Sequence, residues 1–197
     1  MLGNPTGHWK TERRELVRGR ILETAWALAR EHGLSGFTLR EVAREVGMQA
    51  PSLYTHFDSR NAIIDAMFAQ AWRECLAAME TGVPEDPTGD AREWLRTVAH
   101  IYFDFCVSDP TRNQLMNARA VPDFVPSAEA YAPAVDVLER FKAAAAAHGV
   151  TRDEDVDLWT ALLSGLVDAQ LANDPGGDRW ARLLDRAVDM YADNLDL

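Results

Sequence analysis

The chain has 197 residues, of which 47% are hydrophobic and 26% charged, a composition that excludes disordered and fibrous proteins. Its formal net charge of −11 at pH 7 argues, taken alone, against a nucleic-acid partner. No apolar run approaches the roughly 20 residues of a membrane-spanning helix, and residues 1–10 lack the apolar core of a secretion signal. We therefore expect a cytoplasmic protein without a membrane partner.

The charge is unevenly distributed along the chain. Residues 1–70 carry nine basic and eight acidic side chains, whereas residues 71–197 carry eleven basic and twenty-three acidic ones. Basic residues are densest near the N-terminus, where Lys10, Arg13 and Arg14 lie close together. This asymmetry permits contact with phosphate groups through the N-terminal part of the chain only.

Apolar residues recur at helical spacing along the chain, and no segment alternates with the period of a strand, so we predict an all-α fold of about nine helices. A flexible basic arm, residues 1–11, precedes a first helix over residues 12–32. Prolines and a glycine predict a loop at residues 83–90. Thr151 and Glu154 match a capping box that opens the eighth helix. The later helices are predicted at residues 60–81, 91–107, 110–119, 127–148, 152–173 and 179–194.

The segment from Thr38 to Phe57 has the pattern of two short helices joined by a tight turn. Thr38 and Glu41 match a capping box at the start of the second helix, and Gly47 supplies the turn. The third helix is predicted over residues 50–56. Two short helices joined in this way form the unit that places a helix in the major groove of DNA.

This segment resembles a known family. Its motif reads Gly36-Phe37-Thr38-x-x-x-Val42-Ala43-x-x-x-Gly47, then Ser52-Leu53-Tyr54-x-His56-Phe57, then Arg60. The pattern is similar to the DNA-binding domain of TetR/AcrR-family transcriptional regulators. The resemblance implies a DNA-binding domain over residues 12–70 (helix-turn-helix 38–57) and a ligand-binding and dimerisation domain over residues 71–197. It also implies a homodimer that binds a palindromic double-stranded DNA operator and responds to a small-molecule effector.

The side chains of this motif suit two kinds of DNA contact. Tyr54, His56 and Arg60 offer donors to phosphate groups, and Thr38 stands at a helix N-terminus, which favours anions. Arg40 has no acidic residue at helical spacing and is our candidate for reading guanine. The complete predicted DNA-binding set is Thr38, Arg40, Gln49, Ala50, Pro51, Ser52, Tyr54, Thr55, His56 and Arg60.

Some alternatives remain open in this region. Tyr54 can instead be a core aromatic residue, and His56 an ordinary surface histidine. Gln49 is a poor N-cap for the third helix, and Thr55 is small where some relatives carry a bulky contact residue, so the operator sequence cannot be read. The basic arm either reaches an adjacent minor groove or is a solvated terminus.

The C-terminal half interleaves aromatic and polar residues, as an apolar ligand pocket requires. The predicted pocket residues are Trp94, His100, Phe103, Met116, Arg119 and Trp159. The last two helices have broad apolar faces, which we predict to pair with a second copy of the chain in a four-helix bundle. The predicted interface residues are Leu163, Leu166, Gln170, Trp180, Leu184, Val188 and Tyr191. The alternative is that both faces are buried in one core.

No pattern in the sequence supports a cofactor, a metal site or a catalytic centre. His100 and Asp104 have i, i+4 spacing but lack a third ligand. Cys75 and Cys106 are expected to be reduced core thiols. A repressor released by a small apolar or aromatic ligand is our first functional prediction. A DNA-binding dimer controlled by a protein partner is the alternative, and an all-helical enzyme is the least favoured.

Overall fold

The computed structural model describes residues 5–84 and 89–197, with side chains from Trp9 onward. Every regular element in these residues is helical, so the all-α prediction is confirmed. Across the described residues, no helix combines the length and the apolar character that a membrane crossing requires. The predicted loop at 83–90 lies partly outside the described residues. The α-helices are α1 (Pro5–His32), α2 (Leu39–Val46), α3 (Ala50–Tyr54), α4 (Arg60–Gly82), α5 (Ala91–Ser108), α6 (Pro110–Asn117), α7 (Ala128–Ala147), α8 (Asp153–Asn173) and α9 (Leu184–Asn194).

Helix α1 begins earlier than predicted. It starts at Pro5, and proline suits the first turn of a helix because no backbone N–H is needed there. The prediction of a flexible arm is therefore wrong for residues 5–11, which belong to α1, while residues 1–4 lie outside the described part. Because a helix holds its side chains at fixed angles, Lys10 of this segment shares one face of α1 with Arg13 and Arg14.

The turn between α2 and α3 follows the sequence prediction. Thr38 Oγ1 accepts a hydrogen bond from the Glu41 N–H at 3.2 Å, and the Thr38 N–H donates to Glu41 Oε2 at 2.8 Å, which confirms the capping box. Gly47 ends α2 with φ of 74°, a left-handed conformation that glycine adopts without strain. The Met48 N–H then donates back to the Ala43 carbonyl at 2.8 Å and closes the turn.

Helix α3 is shorter than predicted, because it ends at Tyr54 rather than at residue 56. Gln49 precedes it and makes no side-chain cap, as the poor capping ability of glutamine predicts. Leu53 and Phe57 are buried and fix α3 against the core, so the rest of this short helix stays at the surface.

The chain divides into two compact units, and the division falls inside α4. Unit 1 comprises residues 1–68 and 119–130, and unit 2 comprises residues 69–118 and 131–197. The predicted boundary after residue 70 is close to this division, but the return of residues 119–130 to unit 1 was not predicted. Ser127 secures the return, because its N–H and its hydroxyl donate to the Asp65 carboxylate at 2.8 and 2.6 Å.

The core of unit 2 forms around α5, which packs against α6, α8 and α9. A series of ring contacts runs through it. Trp94 stacks on His148 and Phe141, with centroids 4.7 and 5.9 Å away. Phe141 stacks on Trp159 at 5.8 Å, and Trp159 contacts Tyr191 at 5.1 Å. Pairs of this kind contribute about 0.5–1.5 kcal/mol each beyond the burial of their area.

Cys75 and Cys106 are buried free thiols in unit 2, as expected. Burial raises the pKa of Cys75 to about 12 and that of Cys106 to about 11. Neither thiol therefore ionises near neutral pH, which makes both poor nucleophiles and poor metal ligands.

The start of α8 differs from the prediction. Thr151 and Glu154 form no capping box, and the residue that precedes the helix is Arg152. Arg152 donates from Nε and Nη2 to the carboxylate of the buried Asp155 at 3.0 and 2.8 Å. The Asp155 carbonyl also accepts a hydrogen bond from the Tyr191 hydroxyl at 2.9 Å, which ties the first turn of α8 to α9.

We predict that Asp155→Asn destabilises the protein at neutral pH and that its difference from the wild type shrinks in acid. The hydrogen bonds from Arg152 hold the pKa of the Asp155 carboxyl below its ordinary value of 3.8. Stabilisation by this carboxylate is therefore present above the pKa of the unfolded chain and is lost as pH falls through the folded-state pKa. Urea unfolding at pH 7 and at about pH 3 measures it. Asp157→Asn, at an exposed position of α8, is the control, and an equal effect of both variants at pH 7 would contradict the prediction.

The last predicted helix, residues 179–194, begins as a 3-10 turn over Ala181–Leu183 and continues as α9. The buried side chain of Gln170 organises the connection from α8. All its hydrogen bonds go to backbone groups of this connection, namely the N–H groups of Trp180 and Ala181 and the carbonyls of Asp174 and Gly177. The sequence pattern shows neither the 3-10 turn nor its cause.

Candidate nucleic-acid interface and ligand pocket

The exposed surface of α2 and α3 carries most of the predicted DNA-binding side chains. Arg40 is exposed on the first turn of α2 and has no hydrogen-bonding or ionic partner in the described part of the chain. Tyr54 is 51% exposed, which excludes the alternative of a core aromatic residue. Of the remaining residues at this corner, Ala50 is half-buried, and Gln49, Pro51, Ser52 and Thr55 are exposed.

Two predicted hydroxyl contacts are already engaged within the protein. The Thr38 hydroxyl donates to Glu41 Oε2 at 2.9 Å, and the Thr55 hydroxyl donates to the Ser52 carbonyl at 2.7 Å. The hydrogen bonds from Thr38 lower the pKa of Glu41, so this carboxylate is ionised beside the helix N-terminus. A phosphate at Thr38 therefore competes with a resident negative charge.

Arg60 faces the protein rather than solvent. Its Nη2 donates to the Leu34 carbonyl, and its guanidinium lies 5.0 Å from the centre of the Phe37 ring. Burial lowers the pKa of Arg60. Arg60 therefore stabilises the connection between α1 and α2. A phosphate that contacted Arg60 would have to share the guanidinium with the Leu34 carbonyl.

Arg18 positions the end of α3, a role that the sequence analysis missed. Its Nη1 donates to the His56 carbonyl, and its guanidinium lies 4.0 Å from the centre of the Phe57 ring. His56 itself is half-buried, and its Nδ1 atom has no hydrogen-bond partner among the described residues. Burial first, and then Arg14 and Arg18, lower the pKa of His56, so its imidazole is neutral at pH 7.

Unit 2 contains an apolar pocket of about 240 Å³, which we call the aromatic pocket. No charged side chain is among its lining residues, whose polar groups are hydroxyls and the N–H groups of two indoles. The Thr160 hydroxyl donates to the Val156 carbonyl at 2.9 Å, and burial raises the pKa of Tyr102 well above its ordinary value. The lining residues are Trp72, Met79, Val98, Tyr102, Tyr131, Ala134, Val137, Leu138, Phe141, Trp159, Thr160 and Leu163.

Of the six predicted pocket residues, only Trp159 lines the aromatic pocket. The others lie elsewhere: Trp94, Phe103 and Met116 are buried in the protein core, His100 is at the surface with Nε2 2.7 Å from Asp185 Oδ1, and Arg119 belongs to unit 1. The reason is helical geometry. Val98 and Tyr102, one turn apart on α5, face the pocket, whereas Phe103 points about 100° away into the core.

Most predicted interface residues are buried in unit 2. Leu163, Gln170, Leu184, Val188 and Tyr191 are each at most 4% exposed. Because their own chain already covers these side chains, the interface prediction is wrong for all five, and the alternative of a single core holds for them. Leu166 and Trp180 are half-buried.

The other faces of the same helices remain exposed. Leu158 is 53% exposed on α8, and Ala161 and Gly165 follow it on the same helix. A Cβ atom added at Gly165 would meet nothing within 4 Å, so the space over this position is open. Met190 is 65% exposed on α9.

Residues 21–67 match the family model for bacterial regulatory proteins of the tetR family. This part of the chain is a TetR-family domain. The matched stretch contains the whole of α2 and α3, with their turn, and most of α1. The family model describes regulatory proteins, and the matched relative Rv1816 is named as a transcriptional regulator, which agrees with the regulator prediction rather than with the enzyme alternative.

Individual relatives agree with this match. The chain is 38% identical over 53 residues to tetracycline repressor protein class C of Escherichia coli, covering 27% of this chain and 24% of the relative. It is 23% identical over 115 residues to the HTH-type transcriptional regulator Rv1816 of Mycobacterium tuberculosis, covering 58% of this chain and 49% of the relative. The match thus spans at most about half the length of these curated relatives.

The fold as a whole is similar to that of a solved structure, the regulatory protein SCO4313. The TM-score is 0.76 at 22% sequence identity, over 92% of this chain and 97% of that one. At this identity the likeness concerns the fold. It covers the helices of unit 2 as well as the matched domain.

Proposed function

We propose that this chain is a cytoplasmic, homodimeric transcriptional repressor, released from a palindromic operator by a small apolar or aromatic ligand. The observation that carries the DNA-binding part is the exposed α2–α3 corner, where Arg40 has no partner within the described residues and Tyr54 projects into solvent. The relative from Escherichia coli is by name a repressor, which supports the direction of control.

Footprinting on the DNA upstream of the chain's own gene tests the proposal. We expect a protected palindrome, because a two-fold dimer presents two recognition helices to half-sites about 34 Å apart. Protection of a single, non-repeated site would contradict the homodimer. A lack of protection and of any mobility shift on this fragment would contradict autoregulation, and selection from random DNA would then test binding itself.

Phosphate contacts and base contacts are expected to respond differently to mutation. The double variant Tyr54→Phe/His56→Ala should weaken binding about tenfold on every sequence alike, because phosphates carry no sequence information. Arg40→Ala should instead lose about 1–3 kcal/mol of discrimination at one base pair. Competition binding with operator variants, each changed at one base pair, measures both effects. Loss confined to one base pair in the double variant would contradict its phosphate role.

The proposed dimer uses the exposed faces of α8 and α9 rather than the residues first predicted. Leu158, Gly165 and Met190 lie on these faces, and small residues allow close approach of a second helix. Gly165→Glu places a charge there without disturbing the chain's own core. Sedimentation should then show monomers with unchanged helical content, and an unchanged dimer would contradict this choice of face.

The aromatic pocket supports the ligand part of the proposal. Its volume of about 240 Å³ exceeds the roughly 150 Å³ of an apolar cavity that holds benzene, so a molecule of two fused rings fits. The lack of charged lining residues favours a neutral ligand over an ionised one. Isothermal titration calorimetry should therefore show binding of indole and naphthalene but not of naphthoate. Ala134→Phe, which fills the pocket, should abolish the binding. Operator release by none of these compounds would favour control by a protein partner.

A further inference from the structure

A second concave site lies in unit 1, between α1 and the α2–α3 turn. Its volume is about 460 Å³. We call it the basic cleft, and its lining residues are Lys10, Arg13, Arg14, Val17, Arg20, Val46, Gly47, Met48 and His56. Four cationic side chains from one face of α1 therefore converge on a histidine, and no carboxylate is among the lining residues.

The cations of the basic cleft lack partners of opposite charge. Lys10, Arg13, Arg14 and Arg20 form no ion pair within residues 9–84 and 89–197. Several other helical arginines of the described chain do pair with acids, as Arg96 does with Asp189. A concave surface that gathers uncompensated cations produces a positive potential, which attracts an anion.

His56 supplies the second observation. Its Nδ1 atom is buried and has no hydrogen-bond partner in the described part of the chain, although its ring lines the basic cleft. A buried ring nitrogen in this condition costs free energy that a ligand can recover. A protonated imidazole would donate from both ring nitrogens, and an anion in the basic cleft would accept such a bond.

We propose that the basic cleft binds a phosphate group and that this binding places a proton on His56. The source of the phosphate is the DNA backbone, and to that extent the inference rests on the proposed function. The basic face of α1 then belongs to the DNA interface as a rigid helix rather than as a loose arm, and operator affinity depends on pH.

The groups around His56 determine the sign of this dependence. Arg14 and Arg18 of α1 face it and disfavour its protonation, and Lys10, Arg13 and Arg20 add positive charge to the same cleft. The turn contributes only Val46, Gly47 and Met48, which are uncharged, and Asp58 beyond α3 is exposed. An incoming phosphate is the missing negative charge, so it raises the pKa of His56. Binding therefore takes up a proton and strengthens as pH falls, by at most about tenfold per pH unit.

The test measures operator affinity of the full chain between about pH 6 and 8. The wild type should bind more tightly at low pH, and His56→Gln should bind more weakly with a flat profile. His32→Gln, an exposed histidine on α1, is the matched control and should keep the wild-type slope. Arg14→Gln should reduce the slope of log Kd against log salt by about one, whereas Arg73→Gln in unit 2 should leave it unchanged.

NMR titration of the His56 imidazole separates the possible sources of phosphate. A raised pKa with operator duplex but not with inorganic phosphate assigns the site to the DNA backbone, and a raised pKa with both shows that it also accepts free phosphate. If the wild type binds operator while the His56 titration stays unmoved by either, the inference is wrong. If the wild type binds no DNA, the proposed function fails, while the inorganic-phosphate titration still tests the basic cleft.

Discussion

Trp159→Ala is expected to lower the free energy of unfolding by about 3–5 kcal/mol, the range for removing a large buried aromatic side chain. Trp159 is 4% exposed and lies between the Phe141 and Tyr191 rings, so its loss leaves a cavity that neither neighbour fills. The same change removes one wall of the aromatic pocket. Urea unfolding followed by circular dichroism measures the loss of stability.

Val135→Ala is the matched control for this experiment. Val135 lies on α7 outside the proposed dimer face and is 43% exposed, so truncation there should change the free energy of unfolding by about 0.5 kcal/mol or less. Equal losses for the two variants would contradict the assignment of Trp159 to the core of unit 2. A Trp159→Ala protein that remains folded should also respond differently to indole, because the pocket has gained volume.

Gln170→Ala is expected to lower the free energy of unfolding by about 2–4 kcal/mol, because it leaves partly buried backbone groups of the α8–α9 connection without these hydrogen bonds. Gln170 is 2% exposed and bonds to both N–H and carbonyl groups of that connection. Gln170→Glu keeps the acceptors but cannot donate when ionised, so we expect it to be destabilising at pH 7 as well. Thermal unfolding of the three proteins measures both effects.

Asn173→Ala provides the control, because Asn173 is exposed at the end of α8 and donates only to the Ala169 carbonyl at 3.1 Å. Protein concentration distinguishes the structural role of Gln170 from the interface role that the sequence suggested. A loss of stability that is independent of concentration supports the structural role. A variant with normal unfolding at high concentration and a raised dimer dissociation constant would contradict it.

Local features of the helix-turn-helix could be predicted because they depend on neighbours in sequence. The capping box of Thr38 and Glu41 needs two residues three positions apart, and the turn at Gly47 needs one residue that tolerates positive φ. The same reasoning failed at Thr151 and Glu154, where Arg152 reaches the Asp155 carboxylate instead. A bidentate arginine contact is stronger than a hydroxyl cap, and the capping pattern does not include it.

The candidate DNA interface was predictable to a similar extent. The exposure of Arg40 and Tyr54 follows from their places on short helices, whose apolar positions such as Leu53 face inward. The engagement of Arg60 with the Leu34 carbonyl joins residues 26 positions apart, and that of Arg18 with the His56 carbonyl spans 38. No local pattern specifies such long-range hydrogen bonds.

The sequence by itself determined the all-helical class, the TetR-family motif and the apolar face of each helix. Only the tertiary structure decided what covers each face. The apolar periodicity of α9 indicates that Leu184 and Val188 face an apolar environment. The core of the same chain and the surface of a second copy are both such environments, so the pattern does not distinguish between them. The same holds for Phe103, which lies in the core, and Tyr102, which lines the pocket. These successive residues of α5 point about 100° apart and so contact different parts of the protein, but both fit the apolar pattern of the helix.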